Sequence, residues 1–517
     1  MIVASVAAVA DVPTSQTIAS DSAADTNGKY TISVASSDTH TYKVYQILTG
    51  SLIAGETKLG DPKWGADAKT TPGTNTGVEA FITSITTGTK SNAEINDLVG
   101  AQLATDATGR GTVDKANSMN VAPGYYLIVD QTAELADGET LSLNIVAVFN
   151  DITIATKRGT TESDKKVDDV NDSTGDSALL QESADYDIGD HVPYTLTAKL
   201  PDGYENYKKF YLQFQDDMSK GLTLDTASVK IYYGASDTTG TSIEFTAAEG
   251  SEYTDGHLYT YTIADVKTAA PSLKAGDVIT IKYTATLNKD AVITDKGNPN
   301  KSRVLFSKNP NWDGNGTPDT NDTPWKTTVV FTYKTVFNKV DGVSKKPLTG
   351  ADFKLEKFVK NESGADEYKG AKGTWTDVTT LGSGDDKPSK TKEDLTKGED
   401  TAANAKFTFA GLDDGYYRLV ETATPEGYNT MDPKYFEITA SHTVTGLESL
   451  AGADGQTFTL TATKTEGKLE ADIENNQGSQ LPSTGGIGTT LFYIGGGILV
   501  LAAVILLVTK RRMNAND

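Results

Sequence analysis

Short segments in which apolar and polar residues alternate recur along most of the chain. Tyr30-Thr-Ile-Ser-Val34, Tyr194-Thr-Leu-Thr-Ala198 and Val278-Ile-Thr-Ile-Lys-Tyr-Thr284 each place every second side chain on one face. A period of two is the signature of a half-buried β-strand. Clusters of turn-forming residues separate these segments at short intervals. The pattern predicts an all-β protein made of β-sandwiches in series. A few short helical pieces are expected, for example around Val78–Ile85.

A different pattern closes the chain. Leu481-Pro482-Ser483-Thr484-Gly485-Gly486 is followed by an uncharged stretch, Ile487 to Thr509, and then by Lys510-Arg511-Arg512. As a helix, the apolar stretch is long enough to cross a bilayer core of roughly 30 Å. Gly495-Gly496-Gly497 weakens it, although membrane helices tolerate glycine better than soluble ones do. The basic triplet is expected on the cytoplasmic side, which puts everything before Leu481 outside the cell. At the other end, Ala8-Val9-Ala10 looks like a signal-peptidase site before Asp11. No basic segment precedes this short apolar run, so the true start is expected upstream of Met1.

Composition narrows the function. The chain has no cysteine, so an exported form must gain its stability without disulfides. The net charge of -23 argues against nucleic acid and against anionic lipid as partners. Four His residues without any Cys speak against a zinc site. The oxygen-rich run Asp313 to Asp322 does not have the spacing of an EF-hand and reads as a solvated loop. No Ser/His/Asp constellation, phosphate-binding glycine loop or metalloprotease motif is present. Neither enzymatic turnover nor a cofactor or metal is expected. The roughly 470 residues between the two end segments suit three domains of ordinary size.

The ordered series of LPSTG motif, apolar stretch and basic tail resembles the cell-wall sorting signal of sortase substrates in Gram-positive bacteria. The resemblance implies that a sortase cysteine attacks the Thr484 carbonyl and cuts the Thr484–Gly485 bond. The chain is then held as a thioester until an amine resolves it. The membrane segment would hold the substrate only until that step.

Further motifs extend the resemblance inward. Gly415-Tyr-Tyr-Arg-Leu-Val-Glu421-Thr-Ala-Thr-Pro-Glu-Gly-Tyr428 resembles the "E-box" of pilins and of B-type collagen-adhesin (Cna-type) repeats. Asn338-Lys339-Val340-Asp341 and Ala471-Asp-Ile-Glu-Asn475-Asn476 stand as its companions on either side. Asp164-Lys165-Lys166-Val167, Phe214-Gln215-Asp216-Asp217 and Gly297-Asn298-Pro299-Asn300-Lys301 look like the middle domain of backbone pilins of the SpaA and FimA type. His40 to Ile47 and Gly124 to Asp130 resemble a pilin N-terminal domain, with Asp130 standing where the third domain has Glu421. The implied divisions are 1–28 for a signal remnant and mature N-terminus, 29–156, 157–327 and 328–477 for three immunoglobulin-like domains, and 478–517 for the sorting signal, with 487–509 transmembrane.

In such pilins a lysine and an asparagine join spontaneously in an isopeptide bond beside a carboxylic acid. Burial lowers the pKa of the lysine amine so that it can attack, and keeps the acid protonated. Strand phase selects the partners. Lys339 shares a face with Phe337, Asn475 with Ile473, and Glu421 with Leu419 and Tyr417. Lys165 shares a face with Val167, Asp216 with Phe214, and Asn300 with Val304 and Phe306. The expected bonds are therefore Lys339–Asn475 with Glu421, and Lys165–Asn300 with Asp216. Lys166, Asp217, Asn298 and Asn476 are the one- or two-residue register alternates. In the first domain, Lys29 or Lys43 with Asp130 and Asn150 is the candidate set.

Backbone pilins also carry an intersubunit lysine in a motif of the form Trp-x-x-x-Val-x-Val-Tyr-Pro-Lys. The corresponding stretch here runs from Val148 to Lys157. It keeps the alternation and the final lysine, but has Val148 for the tryptophan and Ala155-Thr156 for Tyr-Pro. The resemblance thus implies the shaft subunit of a covalent pilus (fimbria), with Thr484 of one copy joined to Lys157 of the next. Its implied partners are identical subunits, tip or basal pilins, pilus-specific and housekeeping sortases, and peptidoglycan. The alternative is a singly wall-anchored adhesin or ancillary pilin that binds a host glycan or matrix protein.

Overall fold

The computed structural model describes residues 16–18, 28–53, 59–87, 90, 92–154, 159–235, 239–250, 256–394, 405–454, 458–478 and 500. These residues are built almost entirely from strands, which form three successive pairs of sheets.

In the first pair, a five-stranded sheet centres on Tyr42–Leu52 and Gly124–Asp130. One face packs Tyr42, Val44, Tyr126 and Ile128 against a four-stranded sheet that contains Tyr30–Val34 and Ile152–Ile154. The other face packs Ile47, Leu48 and Leu127 against the helix Val78–Thr86 and the helix Asn92–Gly100. Both faces of this sheet are therefore covered. The first helix lies where the sequence placed it, and Phe81, Ile82 and Ile85 form its buried stripe.

The second pair consists of two seven-stranded sheets. In one, Glu162–Val170, His191–Lys199 and Val278–Leu287 lie side by side, all antiparallel. In the other, Lys326–Phe331, Asn298–Ser307, Leu212–Ser219 and Gly256–Ile263 follow one another. Along His191–Lys199 the burial alternates strictly, with Val192, Tyr194, Leu196 and Ala198 turned into the core.

The third pair has five and six strands. Its core is rich in aromatic residues, including Phe337, Phe353, Phe407, Phe409, Tyr417 and Phe436. Each such ring contributes roughly 1.5–3 kcal/mol when fully buried. Tyr333–Asp341 opens this body and Lys468–Asn475 closes it, and the two pair in parallel. Lys326–Phe331 pairs within the second body's sheet while Val329 and Phe331 pack into the third core, so this strand is shared between the two bodies at the 327/328 division expected from sequence.

The second and third bodies are closely joined. The loop after Val170 inserts Ser173, whose hydroxyl donates to the Phe358 carbonyl at 2.8 Å and accepts from the Tyr416 amide at 2.9 Å. Gly415 has φ 132°, and a Cβ there would lie 2.4 Å from the Ser173 hydroxyl oxygen. Only glycine permits both that backbone and that approach. Among the described residues no helix is long and apolar enough to cross a membrane; the expected span 487–509 lies outside them except for Val500.

Candidate crosslink sites

In the third body, parallel pairing sets Lys339 opposite Ile473 and Asp341 opposite Asn475. Alternation turns Lys339 and Asn475 inward, where both are fully buried. The Lys339 Nζ donates to Asn475 Oδ1 at 2.8 Å and to the Ile473 carbonyl at 3.0 Å. Asn475 Nδ2 donates to Glu421 Oε1 at 2.7 Å, and Glu421 Oε2 accepts the Met431 amide at 2.8 Å. Burial pulls the Lys339 amine down to about 8, against the opposing negative charge of Glu421. Amine, amide and carboxyl thus form one hydrogen-bonded line between the opening and closing strands.

The middle body holds a second set, wired differently. Lys165 lies on Glu162–Val170, Asp216 on Leu212–Ser219 and Asn300 on Asn298–Ser307; all three are buried. Lys165 Nζ donates to Asp216 Oδ1 at 2.6 Å and to the Tyr283 hydroxyl at 3.0 Å. Asn300 Nδ2 donates to the same hydroxyl at 3.0 Å. The rings of Tyr194 and Tyr283 stack with centroids 5.2 Å apart and wall the amine, whose Nζ lies 5.1 and 5.6 Å from them. Burial lowers the Lys165 pKa, while Asp216 pulls it the other way. Asp216 Oδ2 and Asn300 Oδ1 are buried and find no hydrogen-bond partner among the described residues. An unsatisfied buried polar atom costs about 1–3 kcal/mol, so these two oxygens make the cluster costly as it stands.

The register alternates are directed elsewhere. Lys166 pairs with Glu182, Asp217 with Lys301, Asn298 bonds Val292 and Val330, and Asn476 is exposed. Phase separates Lys166 and Asn476 from the inward set, whereas Asn298 shares the face of Asn300 and is set apart by its bonds to Val292 and Val330.

In the first body the candidate acid Asp130 is buried and has partners of its own. The Asp130 carboxylate is engaged by His40 Nδ1 at 2.6 Å and by Thr132 and Ser142. Burial and the nearby carboxylates act on His40 in opposite directions, and Asp130 carries its pKa upward. Lys29 is exposed and Lys43 and Asn150 are half-buried. Lys157 and the motif Leu481 to Gly485 lie outside the described residues.

A third buried lysine was missed from sequence. Lys357 donates to Asp187 of the middle body at 2.6 Å and to Asp413 of its own body at 3.1 Å, with all three side chains almost wholly buried. Burial alone would lower its pKa, but Asp187 and Asp413 together hold it well above the usual lysine value. Lys357 is therefore held in its charged form, whereas burial shifts the amines of Lys165 and Lys339 downward. A signal was available: Phe353, Leu355 and Lys357 share one strand face, which marks an inward lysine.

Comparison with known families gives three matches. Residues 188–310 match the Gram-positive pilin backbone subunit 2, Cna-B-like domain. Residues 334–449 match the SpaA prealbumin-like fold domain, and residues 473–515 match the LPXTG cell wall anchor motif. Together they cover more than half of the 517 residues. The trypsin-resistant surface T6 protein of Streptococcus pyogenes is 27% identical over 401 residues, spanning 67% of this chain and 67% of that protein. The fimbrial subunit type 1 of Actinomyces viscosus is 28% identical over 349 residues, spanning 63% of this chain and 62% of that protein. Among solved structures, the T6 backbone pilin of S. pyogenes is 17% identical and aligns over 87% of this chain and 98% of that one, with a TM-score of 0.47. The full-length major pilin SpaD of Corynebacterium diphtheriae is 18% identical over 87% and 98%, with a TM-score of 0.43. The matched family models and the T6 relative place the chain among the Gram-positive backbone pilins, structural subunits of sortase-assembled pili with an LPXTG cell wall anchor.

Proposed function

We propose that this pilin forms the shaft of its pilus by head-to-tail linkage, with Thr484 of each subunit joined to Lys157 of the next. A pilus-specific sortase would attack the Thr484 carbonyl, release the segment from Gly485 onward and hold the chain as a thioester. The Lys157 amine of a neighbouring copy would resolve it as a new amide. Such a contact joins two different surfaces of the same protein, and repetition of it makes a filament rather than a closed ring. A housekeeping sortase would finally pass the assembled fibre to peptidoglycan.

A shaft under tension needs each subunit to resist unfolding without disulfides. The observation that carries this reading is the line Lys339–Asn475–Glu421, which spans the first and last strands of the third body. An amide at that position closes the body covalently where a pulling force enters and leaves. Lys165 and Asn300, beside Asp216, would do the same for the middle body.

The test is a denaturing gel of cell-wall extracts from unaltered cells and a Lys157→Ala strain, probed for this protein. A ladder of high-mass species that collapses to monomer in the variant supports Lys157 as the linking residue. An intact ladder moves the linkage to another lysine. A monomer alone in unaltered cells overturns polymerisation and leaves the singly anchored adhesin.

A further inference from the structure

The two crosslink sites differ in where the carboxyl group sits. In the third body, Glu421 touches the amide nitrogen that must depart, at 2.7 Å. In the middle body, Asp216 touches the attacking amine instead, at 2.6 Å, and the amide nitrogen of Asn300 donates to Tyr283. Forming either amide requires one proton to leave the lysine nitrogen and one to reach the nitrogen released as ammonia. Glu421 can deliver the second proton directly. Asp216 is bonded to the attacking amine, and the departing Nδ2 donates to the Tyr283 hydroxyl rather than to a carboxylate, so the group in contact with that nitrogen is Tyr283.

We propose that Tyr283 is the proton carrier there, relaying a proton from the Lys165 amine to the departing nitrogen of Asn300. This rests on the amide-forming reading of the middle site. The Tyr283 hydroxyl lies 3.0 Å from both nitrogens, which places it between the proton's origin and its destination. Tyr194, its stacking neighbour, presents its ring to the amine, with Nζ 5.1 Å from the ring centroid. Strand pairing fixes this geometry, since Tyr283 stands opposite Tyr194 and the strand of Lys165 lies one further across the sheet.

The steps balance. Asp216 first takes one proton from the Lys165 ammonium, leaving a neutral amine beside a neutral acid. The Nζ lone pair then forms a bond to Cγ of Asn300. Tyr283 gives its hydroxyl proton to Nδ2 as it accepts one from Nζ, the Cγ–Nδ2 bond breaks, and ammonia leaves. One amine and one primary amide have become one secondary amide and one ammonia. Tyr283 ends as it began, and Asp216 ends with the proton it took. Burial also holds the Tyr283 hydroxyl well above its ordinary pKa. The proton therefore passes through in concert, and the tyrosine does not rest as a phenolate.

The experiment follows bond formation in the full chain, made by cell-free synthesis and quenched into denaturant at intervals. Mass spectrometry reads the loss of one ammonia per bond and identifies the joined peptides. Positioned acid–base catalysis contributes on the order of 10²-fold or more. Tyr283→Phe is expected to slow the Lys165–Asn300 bond by about that factor, with the Lys339–Asn475 bond forming at its unaltered rate. A second measurement needs no variant. In mixtures of light and heavy water, the middle-bond rate of the unaltered chain should curve with deuterium fraction, because two protons move together. A straight plot, or a Tyr283→Phe chain that reacts at the unaltered rate, overturns the relay while the amide reading stands. No ammonia loss from the middle body of the unaltered chain overturns the amide reading and the relay with it.

Discussion

Lys339 Nζ lies 2.8 Å from Asn475 Oδ1, although 136 residues separate the two along the chain. An amide at this place closes a loop that contains nearly the whole third body. Chain-entropy treatments of crosslinks assign a loop of about this size roughly 5 kcal/mol of stabilisation, through restriction of the unfolded chain. Asn475→Ala is therefore expected to lower the unfolding free energy of the third body by up to about 5 kcal/mol. Denaturant unfolding followed through Trp375, on the strand Ala371–Asp377 of that body, would measure the loss. Equal stability of the two proteins would show that no covalent closure exists to be removed.

The pH dependence of the same bond follows from one shared proton. A neutral amine beside a protonated carboxyl carries the same proton count as an ammonium beside a carboxylate. The rate of bond formation is therefore flat while the pair of Lys339 and Glu421 keeps that proton, and falls once it is lost. Burial places the loss from Lys339 at about 8. Over the neutral range the expected profile is level up to that value and drops about tenfold per pH unit above it. Ammonia release from freshly folded chain, timed at several pH values, checks the sign. A rate that climbs above this value would mean that the amine reacts without a protonated partner.

Much of the crosslink geometry was legible in the sequence because a strand has only two faces. Once Phe337, Val167, Phe306 and Ile473 are inward, Lys339, Lys165, Asn300 and Asn475 must be inward too. The same logic left Lys166 and Asn476 as register alternates, and the structure pairs Lys166 with Glu182 and exposes Asn476. It could not find Tyr283, which lies 118 residues from Lys165, because phase gives the face of a residue but not its neighbour across the sheet. It also gave no warning that Asp130 belongs to His40, since an acid at a matching motif position says nothing about what fills the opposite strand. The shared role of Lys326–Phe331 was hidden for a related reason. Lys326–Phe331 is buried throughout its second half, with Val330 in the second core and Val329 and Phe331 in the third, and only its pairing with Asn298–Ser307 ties it to the second body's sheet.

Lys357 gives the last prediction, because it is a buried lysine that does a different job. Its charge is shared between Asp187 of the middle body and Asp413 of the third, at 2.6 and 3.1 Å. Asp187 Oδ1 also accepts the Asp413 amide at 2.8 Å, so one carboxylate ties both partners across the junction. Burial raises the pKa values of Asp187 and Asp413, and Lys357 opposes that rise in each. Lys357→Met keeps the length and apolar stem of the side chain but leaves Asp187, Asp413 and Asp172, which lies 3.6 Å from the amine, without their shared cation. Removing one partner from a buried ion network costs about 3–5 kcal/mol. The expected outcome is a junction that opens before either body unfolds, seen as two calorimetric transitions where the unaltered chain gives one for these two bodies. Adding Asp187→Asn to Lys357→Met removes one of the stranded charges and should recover part of the loss. If Lys357→Met left both the number of transitions and their temperatures unchanged, the ion network would have no part in joining the two bodies.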